Sequence, residues 1–122
     1  MIIEKGWGKE TIFASTETYA GKFLEFENAG NKFSMHFHKE KDESWVVIQG
    51  SFRLRVINTE NAKTEEIILN KGDVWRNPPL LPHQLEALEN NSIIVEVSTR
   101  DNPEDNYRII PGDSQAAAGS FE

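Results

Sequence analysis

The chain has no cysteine and only three histidines in 122 residues. Without thiols there is no disulfide and no thiolate metal site, so a metal would have to be held by imidazole and carboxylate groups. The missing thiols also fit a reducing compartment. Positive charge is scarce: 13 Lys and Arg face 20 Asp and Glu, a net charge of -7 with a pI near 5.0. A nucleic-acid binder needs a cationic surface to displace counterions from phosphates, so no nucleic-acid partner is expected. Long apolar runs are absent too, and with them any segment fit to span a bilayer as a helix. Met1-Ile2-Ile3-Glu4-Lys5 lacks the apolar stretch of a secretory signal. No membrane partner is expected, and the expected location is cytoplasmic. Sustained helical periodicity is also lacking; a turn or two near residues 15–19 is all the pattern allows.

What is present reads as β structure in one domain. Hydrophobic residues make up 38% and charged residues 27%, an ordinary globular composition. Segments 46–48, 52–57, 67–69 and 93–97 are rich in β-branched and aromatic residues. Phe52, Leu54 and Val56 alternate with Arg53 and Arg55, the period of a half-buried strand. Turn residues interrupt the chain at 29–31, 49–51, 58–62, 71–73, 77–82 and 89–91. Many short strands at this spacing predict a sandwich or jelly roll. Residues 114–122, with their run of small side chains, are expected to form a disordered tail.

The histidines fall in two clusters. In His36-Phe37-His38, residues two apart on a strand point to the same face, so both imidazoles can meet one ion. A short polar turn, 39–42, leads to Glu43, which a hairpin can return beside them. The second cluster follows Gly72 and Pro78-Pro79, with His83 opening a new strand. A lone His-x-His is commonly a surface or core feature. Three imidazoles and one carboxylate together suit one divalent transition metal, whether Zn, Mn, Fe or Ni.

The spacing carries a resemblance. Gly30, His36-x-His38, Glu43 and Gly50 stand in the pattern of the first cupin motif, and Gly72, Pro78 and His83 in that of the second. Leu80-Leu81 stand where the second motif usually has glycine, and Ala87 replaces its closing asparagine. The chain thus resembles the cupins, which implies an all-β fold, a single jelly-roll barrel over residues 1–113 with an N-terminal strand or arm. It also implies His36, His38, Glu43 and His83 as metal ligands, and a homodimer. Segment 43–50, His83-Gln84-Leu85-Glu86, Ile94-Val95-Glu96-Val97 followed by Glu104-Asp105 and Tyr107-Arg108, and Trp7-Gly8 are similar to the cupin domain of type II phosphomannose isomerases. Gly6 replaces a proline of that branch, and the arginine-rich ending is missing.

Several further residues are candidates for lining a pocket. Trp45 shares the strand face of Glu43, and Ser34 that of His36 and His38. Lys22, early in its strand, could reach a cavity mouth. Arg76 precedes the loop to His83 and offers a guanidinium fork for a phosphate or carboxylate. Arg53 and Arg55 alternate with the apolar set and are expected to face outward. Glu96 interrupts an apolar strand and needs a partner if buried; it is the candidate general base. Three readings stay open: an isomerase-like enzyme for a sugar or sugar phosphate, a sugar-binding accessory protein without catalysis, and a non-haem iron dioxygenase.

Overall fold

The computed structural model describes residues 1–117. They form two antiparallel sheets. The strands are β1 (Ile2–Lys5), β2 (Gly8–Ser15), β3 (Tyr19–Phe26), β4 (Met35–Phe37), β5 (Glu43–Gln49) and β6 (Ser51–Ile57). They continue as β7 (Thr64–Asn70), β8 (Val74–Asn77), β9 (His83–Ala87), β10 (Ser92–Thr99) and β11 (Tyr107–Ile110). The six-stranded sheet has the order β1-β2-β3-β10-β5-β8 and the five-stranded sheet β11-β4-β9-β6-β7. From β3 onward the chain changes sheet at every connection except β6–β7, which makes the fold a jelly-roll barrel. No helix among the described residues is long and apolar enough to cross a membrane. The helical turn allowed at 15–19 does not form: β2 runs through Ser15 and β3 starts at Tyr19.

Register sorts the barrel interior into layers along its axis. Glu96 pairs with Lys22 on one side and Trp45 on the other. Two residues along β10, Ile94 pairs with Leu24 and Val47, and two further Ser92 faces Phe26. In the opposite sheet, Val56 faces His83, Leu54 faces Leu85 and Phe52 faces Ala87. One end is therefore packed with apolar side chains and the other carries the polar set. Phe26, Phe52, Leu54, Leu85 and Ile94 are all fully buried. Each such side chain contributes about 1.5–3 kcal/mol of burial.

Two backbone positions have clear physical causes. Gly50 joins β5 to β6 with φ +75°, and a Cβ there would meet the Ser92 side chain at 2.1 Å. Only glycine satisfies both constraints. Leu80 also has positive φ, at 74°, which explains why a glycine is usual at this point of the second motif.

At the C-terminal end, Asp113–Ala117 form one short helix, α1, where the composition suggests a disordered tail. Long-range contacts tie it down: the Asp113 carboxylate accepts from the Lys32 amide at 2.9 Å, and Ser114 Oγ accepts from the Gly6 amide at 3.1 Å. The rest of that expected tail, 118–122, lies outside the described residues.

Candidate metal centre

Strand ends deliver the donors to one point. His36 on β4 is the register partner of His83, the first residue of β9. His38 follows β4 directly, and Glu43 opens β5 across the short turn. The ring centroids of His36 lie 5.0 Å from His38 and 4.7 Å from His83. One nitrogen from each imidazole can be chosen so that all three lie within 4.8 Å of one another.

The outward-facing ring nitrogens fix which nitrogen is free. His36 Nδ1 lies 2.8 Å from the Ser34 carbonyl, His83 Nδ1 2.9 Å from the Leu81 carbonyl, and His38 Nδ1 contacts the Asp105 carbonyl. A carbonyl only accepts, so each Nδ1 carries a proton, and in the neutral ring each Nε2 keeps a lone pair. His83 Nε2 stands 2.8 Å from Glu43 Oε1, yet it is buried and has no hydrogen-bond partner. In a neutral His83 the Nε2 lone pair would oppose the carboxylate oxygen, and either a proton or a metal cation between them relieves the contact. Two ligands about 2.1 Å from one ion at cis positions are about 3 Å apart, which this pair fits. The Asn77 side-chain amide donates to Glu43 Oε1 at 3.2 Å, and Trp75 Nε1–H donates to Asn77 Oδ1 at 2.7 Å. Glu43 is thereby oriented from behind.

Electrostatics favours the deprotonated forms of His36, His38 and Glu43. Burial first, then the neighbouring His83 and His38, pushes the His36 imidazolium down to about 3. Burial likewise lowers His38. Burial opposes ionisation of Glu43, but His83 and then Lys41 outweigh it and hold its carboxyl well below the usual range. A divalent ion requires neutral imidazoles and an ionised carboxylate, and these shifts favour those forms at His36, His38 and Glu43.

Above the donors lies a cavity of about 800 Å³, whose lining includes His36, His38, Glu43, Trp45 and Glu96. Glu96 is buried, and Trp45 Nε1–H donates to its Oε1 at 3.1 Å. Burial and the Glu43 charge push the Glu96 carboxyl up to about 7, against Lys41 and Lys22. Trp45 also stands edge-on to His83, with ring centroids 5.5 Å apart. Ser34 Oγ lies 3.0 Å from His36 Nδ1, and Lys22 is buried between Asp101 at 2.8 Å and Glu10 at 3.4 Å. Both line the cavity.

Arg76 does not. Its neighbours on β8, Trp75 and Asn77, take the inward positions, so strand alternation turns Arg76 to the outer surface. There its guanidinium makes two hydrogen bonds to the Asp42 carboxylate, at 2.6 and 3.0 Å. Arg53 and Arg55 also face outward and pair with Glu66 and Glu86.

Sequence reasoning missed Lys41. It sits in the turn 39–42 that reads as solvated, yet it is buried, with Nζ 3.1 Å from Glu96, 3.4 Å from Glu43 and 3.3 Å from Asp101. Asp105 was missed as well. Its carboxylate accepts the amides of Lys39, Glu40 and Lys41 at 2.7–3.1 Å, while its carbonyl orients His38. Neither role has a local sequence signal, because Glu96 and Asp101 lie far from Lys41 in the chain, and residues 38–41 far from Asp105.

Residues 14–115 match the family model described as Cupin. The chain belongs to the cupin family. Solved cupin-like structures agree with the barrel. KdgF from Halomonas sp. is 23% identical, with 79% of this chain and 81% of that chain covered and a TM-score of 0.68. The capsular polysaccharide assembling protein CapF from Staphylococcus aureus is 19% identical over 90% of this chain, with a TM-score of 0.77. Oxalate decarboxylase from Bacillus subtilis is 23% identical over 88% of this chain, with a TM-score of 0.74. This cupin spans only 32% of the CapF chain and 29% of the decarboxylase chain. No curated protein matches it by sequence. Likeness at these identities establishes the fold, and the three histidines could hold a metal ion within it.

Proposed function

We propose that this cupin is a metal-dependent, isomerase-like enzyme acting on a sugar or sugar phosphate, with His36, His38, Glu43 and His83 as ligands and Glu96 as the base. The observation that carries the reading is the position of Glu96. It is a buried carboxyl in the wall of the cavity that holds the donor set, with Oε1 fixed by Trp45 and Oε2 beside Lys41 Nζ at 3.1 Å. A bound divalent ion would polarise the carbonyl or hydroxyl oxygens of an open-chain sugar. Glu96, raised to about 7, suits acceptance of a proton from the carbon beside the carbonyl and its return to the adjacent carbon. The indole N–H of Trp45 holds that carboxylate in place during both transfers. Segments 43–50 and 83–86 resemble type II phosphomannose isomerases, and CapF is a capsular polysaccharide assembling protein, both of which support a carbohydrate ligand.

A second reading, a sugar-binding cupin without turnover, is favoured by Lys41. Its Nζ stands 3.1 Å from Glu96 Oε2 and would hold that oxygen away from substrate. The test is solvent-deuterium incorporation into a panel of aldoses and aldose phosphates, with elemental analysis of the copurified metal. Incorporation by the parent protein and its loss in Glu96→Gln, with metal retained, are the expected results. No incorporation across the panel would move the assignment to the binding protein. Bound iron with oxygen uptake on substrate addition would instead indicate a dioxygenase.

A further inference from the structure

The cavity cations differ sharply in how they are used. Lys22 and Lys41 are buried and ion-paired. Arg53, Arg55 and Arg76 spend their guanidinium groups on carboxylates outside the cavity. Arg108 is different. It lines the cavity, is exposed, and has neither an ion pair nor a side-chain hydrogen bond among the described residues. Its place is set by register: on β11 it is the direct partner of His36 on β4. Antiparallel partners project to the same face, with Cα atoms about 5 Å apart. The neighbouring pair, Tyr107 and Phe37, stacks on the opposite face with ring centroids 5.2 Å apart, as this alternation requires.

We propose that Arg108 is a specificity residue that binds an anionic group, a carboxylate or phosphate, on the carbohydrate whose oxygens meet the metal donors. This rests on the reading of the cavity as a carbohydrate site. A guanidinium with its donor fork unspent recognises either anion through paired charge-assisted hydrogen bonds. Its adjacency to His36 puts the anion within one extended six-carbon sugar of the donor set. β1 brings Glu4 and Lys5 to the same cavity, also without ion pairs, but their charges are opposite and adjacent. Arg108 stands apart from that pair, on β11 beside His36, where it can meet an anionic group held over the donors.

The test is isothermal titration of the metal-loaded protein with D-mannuronate, D-mannose 6-phosphate and neutral D-mannose. The expected result is tighter binding of at least one anionic sugar than of mannose, falling as salt rises. Arg108→Ala should weaken that anion roughly ten- to hundredfold, the size of one charge-assisted contact, and leave mannose and metal affinity unchanged. Arg108→Lys should restore part of the loss, and Lys71→Ala, an exposed charge removed outside the cavity, should change nothing. Whichever anionic sugar carries the preference identifies carboxylate or phosphate. Equal binding of all three sugars, or a preference that survives Arg108→Ala, would overturn the assignment while leaving the carbohydrate reading intact. Failure of every sugar to bind metal-loaded protein would overturn both.

Discussion

His38→Ala is the cleanest perturbation of the metal centre. His83 is 1% exposed and its removal would leave a hole in the barrel, whereas His38 is half-buried beyond the end of β4. The variant should therefore fold, and its effect should appear in metal binding. With metal at a hundred times its dissociation constant, linkage stabilises the parent by about 2.7 kcal/mol. For 122 residues, the unfolding entropy of about 2.1 cal/mol/K per residue converts this to a melting shift of about 10 °C. Loss of one of the four proposed ligands should weaken binding by about a hundredfold or more; perturbing a supporting partner alone costs ten- to hundredfold. The same metal concentration then stabilises the variant by about 0.4 kcal/mol or less, a shift under about 2 °C. The assay is differential scanning fluorimetry with and without Zn, Mn, Fe or Ni, paired with elemental analysis. A full 10 °C response with stoichiometric metal in the variant would show that His38 is no ligand.

Three further outcomes follow from the geometry. Leu80→Gly should stabilise the protein by up to about 1 kcal/mol, since relief of a left-handed leucine exceeds the entropy glycine adds to the unfolded chain. Leu80 is 57% exposed, so little packing is lost; an unchanged or lower denaturant midpoint would refute the strain. The metal-free protein should lose stability as pH falls below 6.5, because His36 titrates at about 3 when folded and the unfolded chain takes the proton first, by about 1.4 kcal/mol per pH unit. Glu96, raised from 4.5 to about 7, has the opposite sign and should offset part of this between pH 7 and 4.5, so Glu96→Gln should steepen the decline; parallel profiles would count against its burial. A homodimer is expected through the outer face of the six-stranded sheet, where Val74 is 72% and Val97 54% exposed, and light scattering showing a monomer at micromolar concentration would contradict it.

The part of the site legible in the sequence is the part built locally. His36 and His38 share a strand face by parity alone, and the turn to Glu43 is short enough to force proximity. The barrel followed from strand spacing and from glycines such as Gly50. Arg76 was not legible because β8 is only four residues long, and its inward parity is set by pairing of Trp75 and Asn77 with β5. Arg108 was legible only as part of the family resemblance at 107–108, not as a pocket residue, because its significance lies in lacking a partner, which no sequence pattern displays. Likewise α1 owes its order to contacts with residues 6 and 32, across almost the whole chain.

Lys41 shows what this layout achieves. Burying Glu43 and Glu96 side by side would be costly if both were ionised and unpaired, since desolvation of each charge costs several kcal/mol. Lys41 lies within 3.4 Å of both and reaches Asp101, which in turn meets Lys22. Burial alone would favour a neutral lysine, but Glu96 and then Glu43 raise its pKa and keep it charged. Lys41 and Lys22 therefore offset part of the carboxylate charge at the polar end of the barrel. A metal ion can then relieve the His83–Glu43 contact without being needed to hold the fold together. The barrel should stand without metal, and the ion should bind as a ligand of a preformed cavity whose free positions face Glu96 and the mouth.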